Sequence, residues 1–412
     1  MTDTHTLIIG ASHAGAQAAV SLRQAGYAGR ITLLGDEAVP PYHRPPLSKD
    51  YLSGDRDQDD ILLRPADSYA ASDIDLKLGV RAGVINRDAK TVTTTDGDEL
   101  LYDNLILATG ARIRRLPIPG SDLPNVFYLR DTKDVDAIRA RVSPGDRAVI
   151  IGGGYIGLET AASLRKRGMA VTLLEAQSRI LQRVTSDVIS DFYRRVHTEE
   201  VVEIVEDCMA SSIRQSDDGN ALIVETSDGQ SWDAHLVVIG IGVIPNTELA
   251  ESADLETGNG ITVNEFCQTS DPDIYAIGDV AWHPNPLYAR EMRVESVPNA
   301  TEQAKTVANH LTGKAKPFAA LPWFWSDQFD LKLQIAGMSD GYDDIILRGN
   351  PDEGRSFAAY YFKGDQLLAV DAVNAPRDFM MAKMALSKGK TLDKTRLPDA
   401  EDSALKSLLL PA

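Results

Sequence analysis

The amino-acid sequence predicts an α/β protein with two Rossmann-like dinucleotide-binding domains and a C-terminal α+β domain. A pattern of strand, glycine-rich turn, helix and second strand begins near residue 10 and recurs near residue 152. At 412 residues the chain is long enough for two or three domains, and 43% hydrophobic with 25% charged residues is a globular composition. Two such patterns in one chain lead us to expect two different dinucleotides, one bound permanently and one exchanged.

The first pattern, TLIIGASHAG, places Gly10, Ser12 and Gly15 between an apolar strand and a helix. It is the dinucleotide fingerprint with its second glycine replaced by serine. The first glycine makes the tight turn, the small second residue lets the backbone approach a pyrophosphate, and the third lets the helix pack closely. The following strand ends in Asp36, 21 residues beyond Gly15, where a carboxylate can accept a hydrogen bond from a ribose hydroxyl.

The second pattern, RAVIIGGGYIGLETAASLRKRGMAVTLLEA, has the unmodified glycine spacing at Gly152, Gly154 and Gly157. Glu175 ends the next predicted strand, 18 residues beyond Gly157. A carboxylate at this position accepts from a ribose 2'-hydroxyl and repels a 2'-phosphate. We therefore expect NADH to be preferred over NADPH, although Arg179 and Arg183 could weaken the preference.

Two apolar segments, at residues 102–112 and 236–246, end in glycine-containing turns suited to chain crossings between nucleotide domains. A third, TSDPDIYAIGDVA, ends at Gly278 and Asp279, where a buried carboxylate can reach a ribityl hydroxyl. The order predicts a discontinuous first domain over residues 1–110 and 240–320, an inserted domain over residues 111–239, and a C-terminal domain over residues 321–412.

Charge and cysteine content limit the possible partners. The chain has 42 Lys plus Arg against 60 Asp plus Glu, a net charge of -18, which argues against nucleic-acid or anionic-membrane binding. Cys208 and Cys267 are the only cysteines, too few for a disulfide framework or a thiolate metal cluster, so we expect buried thiols. His13 and His43 have no metal-ligand partner at suitable spacing, and no metal is expected. Without a signal peptide or a long apolar run, a cytoplasmic protein without a membrane span is expected.

Six motifs carry a resemblance to a known family. The sequence resembles FAD-dependent ferredoxin reductases of bacterial oxygenase systems, which have the glutathione reductase-like pyridine nucleotide-disulfide oxidoreductase fold. The motifs are RPPLSK at residues 44–49, GGGYIGLE at residues 152–159, GIGVIPN at residues 240–246, GD at residues 278–279, ESVPNATEQA at residues 295–304, and PWFWSDQ at residues 322–328.

The resemblance implies FAD and NADH as cofactors and assigns residues to each. The residues assigned to FAD, which include the fingerprint positions, are Gly10, Ser12, Ala14, Gly15, Asp36, Lys49, Ala82, Arg130, Asp279, Val297 and Trp325. For NADH they are Gly152, Gly154, Ile156, Gly157, Glu159, Glu175 and Arg183. From the residues alone, Arg130 is equally well a solvated arginine at a helix start, and Trp325 a core aromatic residue.

Lys49 and Glu159 are the predicted catalytic pair. The resemblance implies that Lys49 lies beside flavin N5 and pairs with Glu159, which also meets the nicotinamide carboxamide. We expect Glu159 in the first turn of its helix. Without the resemblance, Lys49 would be an exposed loop charge and Glu159 a partner of the helix dipole.

The segment PPYHRPPLSK contains no cysteine, although disulfide-reducing flavoenzymes of this fold carry redox-active cysteines there. With Pro45 and Pro46 in place of a thiol pair, the expected route for electrons is outward, one at a time, to a 2Fe-2S ferredoxin serving a haem monooxygenase or a ring-hydroxylating dioxygenase. A rubredoxin reductase or an NADH oxidase of the same fold is an alternative. A further alternative is an NADH-sensing flavoprotein resembling apoptosis-inducing factor.

An acidic ferredoxin would need a local basic patch on this acidic chain. The candidate docking residues are Arg290, Arg293 and Lys305, together with Trp325, which the resemblance places against the flavin near the docking surface. A second basic cluster, Arg112, Arg114 and Arg115, is the alternative face. We expect a monomer or a weak homodimer.

Overall fold

The computed structural model describes residues 4–411, which divide into two compact units. The first unit contains the described residues up to His43, then Ile61–Arg112 and Ile244–Pro322. The second contains Arg44–Asp60, Ile113–Val243 and the described residues from Trp323 onward. The predicted α/β class, with Rossmann-like sheets and a C-terminal α+β region, is confirmed. The predicted domain limits stay a prediction.

A five-stranded parallel sheet forms the centre of the first unit. Its strands, in spatial order, are Ile274–Ala276, Asn104–Leu107, His5–Ile9, Arg30–Gly35 and Ile74–Leu78. The first dinucleotide helix, His13–Ala25, follows the central strand and packs against helix Val297–Leu311. Both helices contribute small buried residues such as Ala18 and Ala304 to one core, which allows a close approach.

Smaller elements complete the first unit. An antiparallel sheet contains Ala82–Asn86, Thr91–Thr94 and Glu99–Leu101, and a four-stranded sheet contains Thr257–Gly258, Gly260–Thr262, Ala281–Asn285 and Arg290–Met292. The short helices are Asp67–Ala71, Glu248–Glu251 and the 3-10 turn Gly278–Val280. Three short elements lie at the limits of the units: the 3-10 turn Asp59–Ile61 and the strands Ala111–Ile113 and Val243–Pro245.

The second unit contains another five-stranded parallel sheet. Its strands, in spatial order, are Val202–Val205, Ala170–Leu174, Arg147–Ile151, Leu236–Ile239 and Val126–Tyr128. The second dinucleotide helix, Tyr155–Lys166, follows the central strand Arg147–Ile151. The remaining elements of this part are helices Thr132–Arg139, Asp187–Glu199 and Asp50–Ser53, the 3-10 turn Pro45–Ser48, and the antiparallel strands Ala210–Gln215, Leu222–Thr226 and Ser231–Ala234.

An antiparallel sheet dominates the C-terminal part of the second unit. Its strands, in spatial order, are Trp323–Gln328, Leu331–Gly337, Gln366–Val373, Phe357–Lys363 and Asp344–Gly349. Helix Pro376–Ser387, the 3-10 turn Leu405–Leu408 and the strand pair Lys390–Leu392 and Leu409–Pro411 complete it. We call Trp323–Gln328 the tryptophan strand; as the first strand in this order it forms one edge of the sheet.

Both cysteines are buried thiols, as predicted. Burial raises the pKa of Cys208 and of Cys267, which disfavours the reactive thiolate. No helix within residues 4–411 is both long and apolar enough to cross a bilayer.

Candidate functional site

The first glycine turn, in the first unit, leaves no room for side chains. Gly10 has φ +110°, and a Cβ atom there would lie 2.1 Å from the Ala108 carbonyl oxygen. A Cβ atom on Gly15 would lie 1.9 Å from the Gly10 carbonyl oxygen. The first dinucleotide helix can therefore begin directly at the end of its strand, with Ser12 at its N-cap and Ala14 in its first turn. This is the arrangement that the sequence predicts for binding a pyrophosphate.

The Gly278–Asp279 turn reaches the same helix N-terminus. A Cβ atom on Gly278 would lie 2.8 Å from Cβ of Ala14, and the Gly278 N–H donates to Oε1 of buried Gln303 at 2.7 Å. Val297 begins the helix that contains Gln303. Asp279 is half-buried rather than buried, because it stands in a short 3-10 turn at the end of its strand. The structure thus brings together Ala14, the Gly278–Asp279 turn and the helix that begins at Val297.

Asp36 lies beside the same turn, and the segment that precedes Ala82 lies beside the strand that ends before Asp36. Asp36 is exposed directly after strand Arg30–Gly35, and a Cβ atom on Gly35 would lie 2.6 Å from Cβ of Ala11. The Val80 N–H donates to the Gly35 carbonyl at 2.9 Å, so the segment leading to Ala82 runs alongside the end of this strand. The predicted flavin residues of the first unit therefore cluster at the carboxyl end of its parallel sheet, where ligands bind in such folds.

The second glycine turn repeats this geometry in the second unit. Gly152 has φ +114°, and a Cβ atom there would lie 2.4 Å from the Gly240 carbonyl oxygen. A Cβ atom on Gly157 would lie 2.0 Å from the Gly152 carbonyl oxygen, whereas one on Gly154 would project into open space. Gly154 is the N-cap of the second dinucleotide helix and has no side chain to accept from its first N–H groups. A pyrophosphate can accept these hydrogen bonds.

Glu175 is held against this turn. Its two carboxylate oxygens accept from the Gly153 N–H at 2.6 Å and from the Gln177 N–H at 2.7 Å. Arg179 donates to the Gln182, Thr185 and Ser186 carbonyl oxygens and to Ser190 Oγ, so its guanidinium holds the following loop together.

Arg183 and Ile156, which are also predicted to contact NADH, are accessible to solvent. Arg183 is exposed, and Ile156, in the first turn of the second dinucleotide helix, is 46% exposed. An apolar side chain this exposed at a helix N-terminus is available for contact with a ligand.

Lys49 and Glu159 form a buried ion pair in the second unit. Lys49 Nζ lies 2.8 Å from Glu159 Oε2, and the side chains are 13% and 2% exposed. Lys49 follows the 3-10 turn Pro45–Ser48, and its Nζ also donates to the Pro45 carbonyl at 3.3 Å. Glu159 is the fifth residue of its helix and so begins the second turn, not the first as predicted, because the helix starts at Tyr155. Lys49 is therefore not an exposed loop charge. Interaction with the helix dipole is strongest in the first turn of a helix, and Glu159 lies beyond that turn.

Two serines complete the surroundings of the Glu159 carboxylate. Ser48 Oγ donates to Oε2 at 2.5 Å, and Ser326 Oγ donates to Oε1 at 2.6 Å. Sequence reasoning missed both serines. Ser48 precedes Lys49 and Ser326 follows Trp325, so their position beside predicted site residues was the only available signal. Burial raises the pKa of Asp327, the next residue, while the nearby Lys49 charge opposes that shift.

Arg130 and Trp325 lie, like Lys49, in the second unit. Arg130 is half-buried and directly precedes Asp131, the N-cap of helix Thr132–Arg139. Trp325 is half-buried on the tryptophan strand, with its ring centroid 5.7 Å from that of Trp323. Their predicted flavin contacts stay a prediction.

The candidate docking residues differ in exposure. Arg290 is exposed, and Lys305 is exposed but ion-paired with Glu302 at 2.7 Å. The Arg293 side chain is 11% exposed and paired with Glu295 at 2.5 Å, which makes it less suited to meet a partner protein.

The fold also brings together the two histidines that sequence spacing separated. His13 Nε2 lies 3.2 Å from His43 Nδ1, a proximity that a separation of 30 residues concealed. Within residues 4–411, no group of three His, Cys, Asp or Glu side chains could hold a metal ion.

Two glycine turns built for dinucleotides, with a buried Lys–Glu pair beside the second, define an oxidoreductase that couples two nucleotide cofactors. The chain belongs to the pyridine nucleotide-disulphide oxidoreductase family, whose model matches residues 4–304, and the reductase C-terminal model matches residues 323–409. Putidaredoxin reductase CamA of Pseudomonas putida is 43% identical, over 99% of this chain and 97% of that protein. Rhodocoxin reductase of Rhodococcus erythropolis is 44% identical, over 96% and 92%.

A solved structure agrees with these relatives. The covalent putidaredoxin reductase–putidaredoxin complex matches with a TM-score of 0.95 at 42% identity, covering 99% of each chain. The resemblance inferred from the motifs is therefore confirmed, and the chain is a flavoprotein oxidoreductase with FAD and NAD(P)H as its implied cofactors.

The residues present fit both groups. In the first unit, the start of the first dinucleotide helix suits a pyrophosphate, and Asp36 and Asp279 suit ribose and ribityl hydroxyls. Gln303 Nε2, beside the Gly278 turn, is buried without a hydrogen-bond partner among the described residues. In the second unit, Gly154 and Glu175 offer the corresponding contacts to a nicotinamide dinucleotide.

Proposed function

We propose that this protein is an NADH-dependent ferredoxin reductase that passes electrons through FAD, one at a time, to a 2Fe-2S ferredoxin of an oxygenase system. The observation that carries the proposal is the ion pair between Glu159 and Lys49, which ends the cysteine-free segment PPYHRPPLSK. A disulfide reductase needs a reactive thiol pair, whereas Cys208 and Cys267 are buried with raised thiol pKa values. The ferredoxin partner is supported by relatives that are themselves named as reductases of electron-transfer proteins.

Bound FAD supplies the chemistry that accepts a hydride and releases electrons singly. The chain binds and orients the hydride donor. The glycine turn and the start of the second dinucleotide helix bind the pyrophosphate, and Glu175 accepts from the ribose hydroxyls.

Glu159 is proposed to orient the nicotinamide. An ionised carboxylate has about four acceptor sites. Three are used by Ser48, Ser326 and Lys49, which leaves one for the carboxamide N–H group. Lys49 compensates the negative charge, because a carboxylate buried without a cation would be strongly destabilised.

The test is single-turnover reduction of the bound flavin by NADH under anaerobic conditions, in the wild type and in Glu159→Ala. We expect the variant to retain FAD but to be reduced about 10–100 times more slowly, because a poorly oriented donor loses the near-attack geometry. Ser186→Ala, which removes a buried hydroxyl that does not contact Glu159, is the matched control and should behave as the wild type. Equal rates of flavin reduction in all three proteins would show that Glu159 does not orient the nicotinamide and has only a structural role.

The acceptor is tested separately with the wild type. We expect the rate of NADH oxidation to be much higher with a 2Fe-2S ferredoxin as the electron acceptor than with oxygen, rubredoxin or a disulfide. Faster turnover with oxygen would indicate an NADH oxidase, and faster turnover with rubredoxin a rubredoxin reductase. Slow turnover with every acceptor, together with dimerisation on adding NADH, would indicate a sensing flavoprotein.

A further inference from the structure

Glu159 lies at one end of a row of buried, hydrogen-bonded side chains. Sequence reasoning did not predict the other members of this row. Ser326 Oγ, which donates to Glu159, accepts from Gln328 Nε2 at 3.1 Å, and Gln328 Oε1 lies 2.8 Å from His197 Nε2. All four side chains are 2% exposed or less. The row therefore joins the second dinucleotide helix, the tryptophan strand and helix Asp187–Glu199 within the second unit.

The donors and acceptors in this row allow a single direction. Ser326 has one proton, which it gives to the Glu159 carboxylate, so the Gln328 group facing Ser326 must be the amide N–H. The Gln328 carbonyl then faces His197, whose Nε2 must carry the proton. His197 Nδ1 is buried and has no partner among the described residues, and burial lowers the pKa of His197 to about 4. The imidazole therefore stays neutral, and every hydrogen bond in the row points toward Glu159.

Strand geometry explains why these residues meet. Successive side chains of a strand point to opposite faces, so Phe324, Ser326 and Gln328 share one face of the tryptophan strand. Phe324 packs against the ring of Tyr155 with centroids 4.9 Å apart. Tyr155 and Glu159 are four residues apart and so lie on the same side of the second dinucleotide helix. One face of the strand therefore fits one side of this helix.

We propose that Ser326 and Gln328 are positioning residues for hydride transfer: the tryptophan strand sets the orientation of the Glu159 carboxylate that receives the nicotinamide carboxamide. This inference rests on the proposed function, since it assumes that NADH reduces the flavin. Without Ser326, Oε1 of Glu159 loses the one hydrogen bond in the described structure that fixes it, while Oε2 keeps Ser48 and Lys49. The carboxylate can then rotate about its remaining contacts.

The experiment is a double-mutant cycle on the FAD-loaded enzyme with Ser326→Ala and Glu159→Ala. We expect Ser326→Ala to lower the limiting rate of flavin reduction by NADH about tenfold in the wild-type background. In the Glu159→Ala background, where Ser326 has no side-chain oxygen at residue 159 to orient, it should change the rate less than about twofold, because residues that act through one group are not additive. Equal tenfold losses in both backgrounds, or no loss in the wild-type background, would overturn the inference.

A calorimetric measurement of NAD⁺ affinity provides a readout other than activity. The dissociation constant for NAD⁺ should change less than about twofold in Ser326→Ala, because Gly154 and Glu175 make the pyrophosphate and ribose contacts. A tenfold weaker affinity would show that the loss lies in binding rather than in orientation, and would contradict the proposal. Ser186→Ala again serves as the control for loss of a buried hydroxyl.

Two further variants keep the test decisive if Ser326→Ala folds poorly. Ser326→Thr retains the hydroxyl and should restore most of the rate, and Gln328→Met should give the same pattern as Ser326→Ala with a smaller loss. A Gln328→Met enzyme with the wild-type rate would remove Gln328 from the proposal. If wild-type flavin is not reduced by NADH, the proposed function fails; if it is reduced and Ser326→Ala matches the wild type, only the positioning role fails.

Discussion

Asp371 supports a quantitative prediction about stability. It lies in strand Gln366–Val373 and is 3% exposed, and its Oδ2 accepts from Thr185 Oγ1 at 2.5 Å and from the Tyr361 hydroxyl at 2.7 Å. Burial raises its pKa from 3.8 to about 6, although these two hydrogen bonds oppose the shift. The nearby phenols of Tyr155 and Tyr193 stay neutral because burial raises their pKa values well above 10. Asp371 is thus the group in this cluster that changes charge near neutral pH.

The sign of the effect follows from linkage between protonation and folding. A carboxyl whose pKa is raised on folding contributes stability that is fully present below pH 3.8 and is lost as the pH rises through about 6. The loss reaches about 3 kcal/mol well above pH 6, of which about 2 kcal/mol develops between about pH 4.5 and about pH 7.5. Asp371→Asn has no proton to lose and retains a carbonyl oxygen for Thr185 and Tyr361. Its free energy of unfolding, relative to the wild type, should therefore rise by about 2 kcal/mol across this range.

The assay is urea unfolding of the FAD-loaded proteins at several pH values between about pH 4.5 and about pH 7.5. The exposed Asp352, changed to Asn, is a control in the same unit and should give a difference from the wild type that does not vary with pH. The reasoning is refuted if the Asp371→Asn difference is equally flat, or if it falls as the pH rises.

Two further predictions concern the partners of the enzyme. The kcat/KM for NADH should exceed that for NADPH by well over ~10-fold. Glu175→Ala should narrow this ratio because it removes the carboxylate beside the glycine turn. Equal kcat/KM values for the two nucleotides in the wild type would contradict a role of Glu175 in selecting NADH. Arg290→Glu and Lys305→Glu should raise the KM for ferredoxin several-fold and lower its salt sensitivity while leaving ferricyanide reduction unchanged. If both acceptors suffer equally, the damage lies in the flavin site; if neither does, the cluster of Arg112, Arg114 and Arg115 becomes the better candidate.

The fold could be predicted because its signals are local. Each glycine turn needs a few residues in a fixed order between a strand and a helix, and the close approaches at Gly10, Gly15, Gly152 and Gly157 show the steric reason. The pairing of Lys49 with Glu159 came from family resemblance, since spacing alone favoured an exposed lysine.

The surroundings of Glu159 could not be predicted in the same way. Ser48 and Ser326 reach its carboxylate across separations of 111 and 167 residues, and their place beside predicted site residues does not reveal that both contact Glu159. Asp371 interrupts the apolar run LLAVDAV of strand Gln366–Val373, which indicates a buried polar partner but not which one. The Tyr361 and Thr185 partners required the tertiary structure, as did the contact between His13 and His43.

The two faces of the tryptophan strand explain why one segment can affect both NADH oxidation and electron transfer to the acceptor. It is an edge strand of its sheet, and the second dinucleotide helix packs against one of its faces. That packing brings Ser326 and Gln328 to the Glu159 side, while Trp323 and Trp325 share the opposite face. Substitutions at alternate positions should therefore separate the two stages: changes at Ser326 act on NADH oxidation, and changes at Trp325 act on electron transfer to the acceptor if the tryptophan has the role that family resemblance implies.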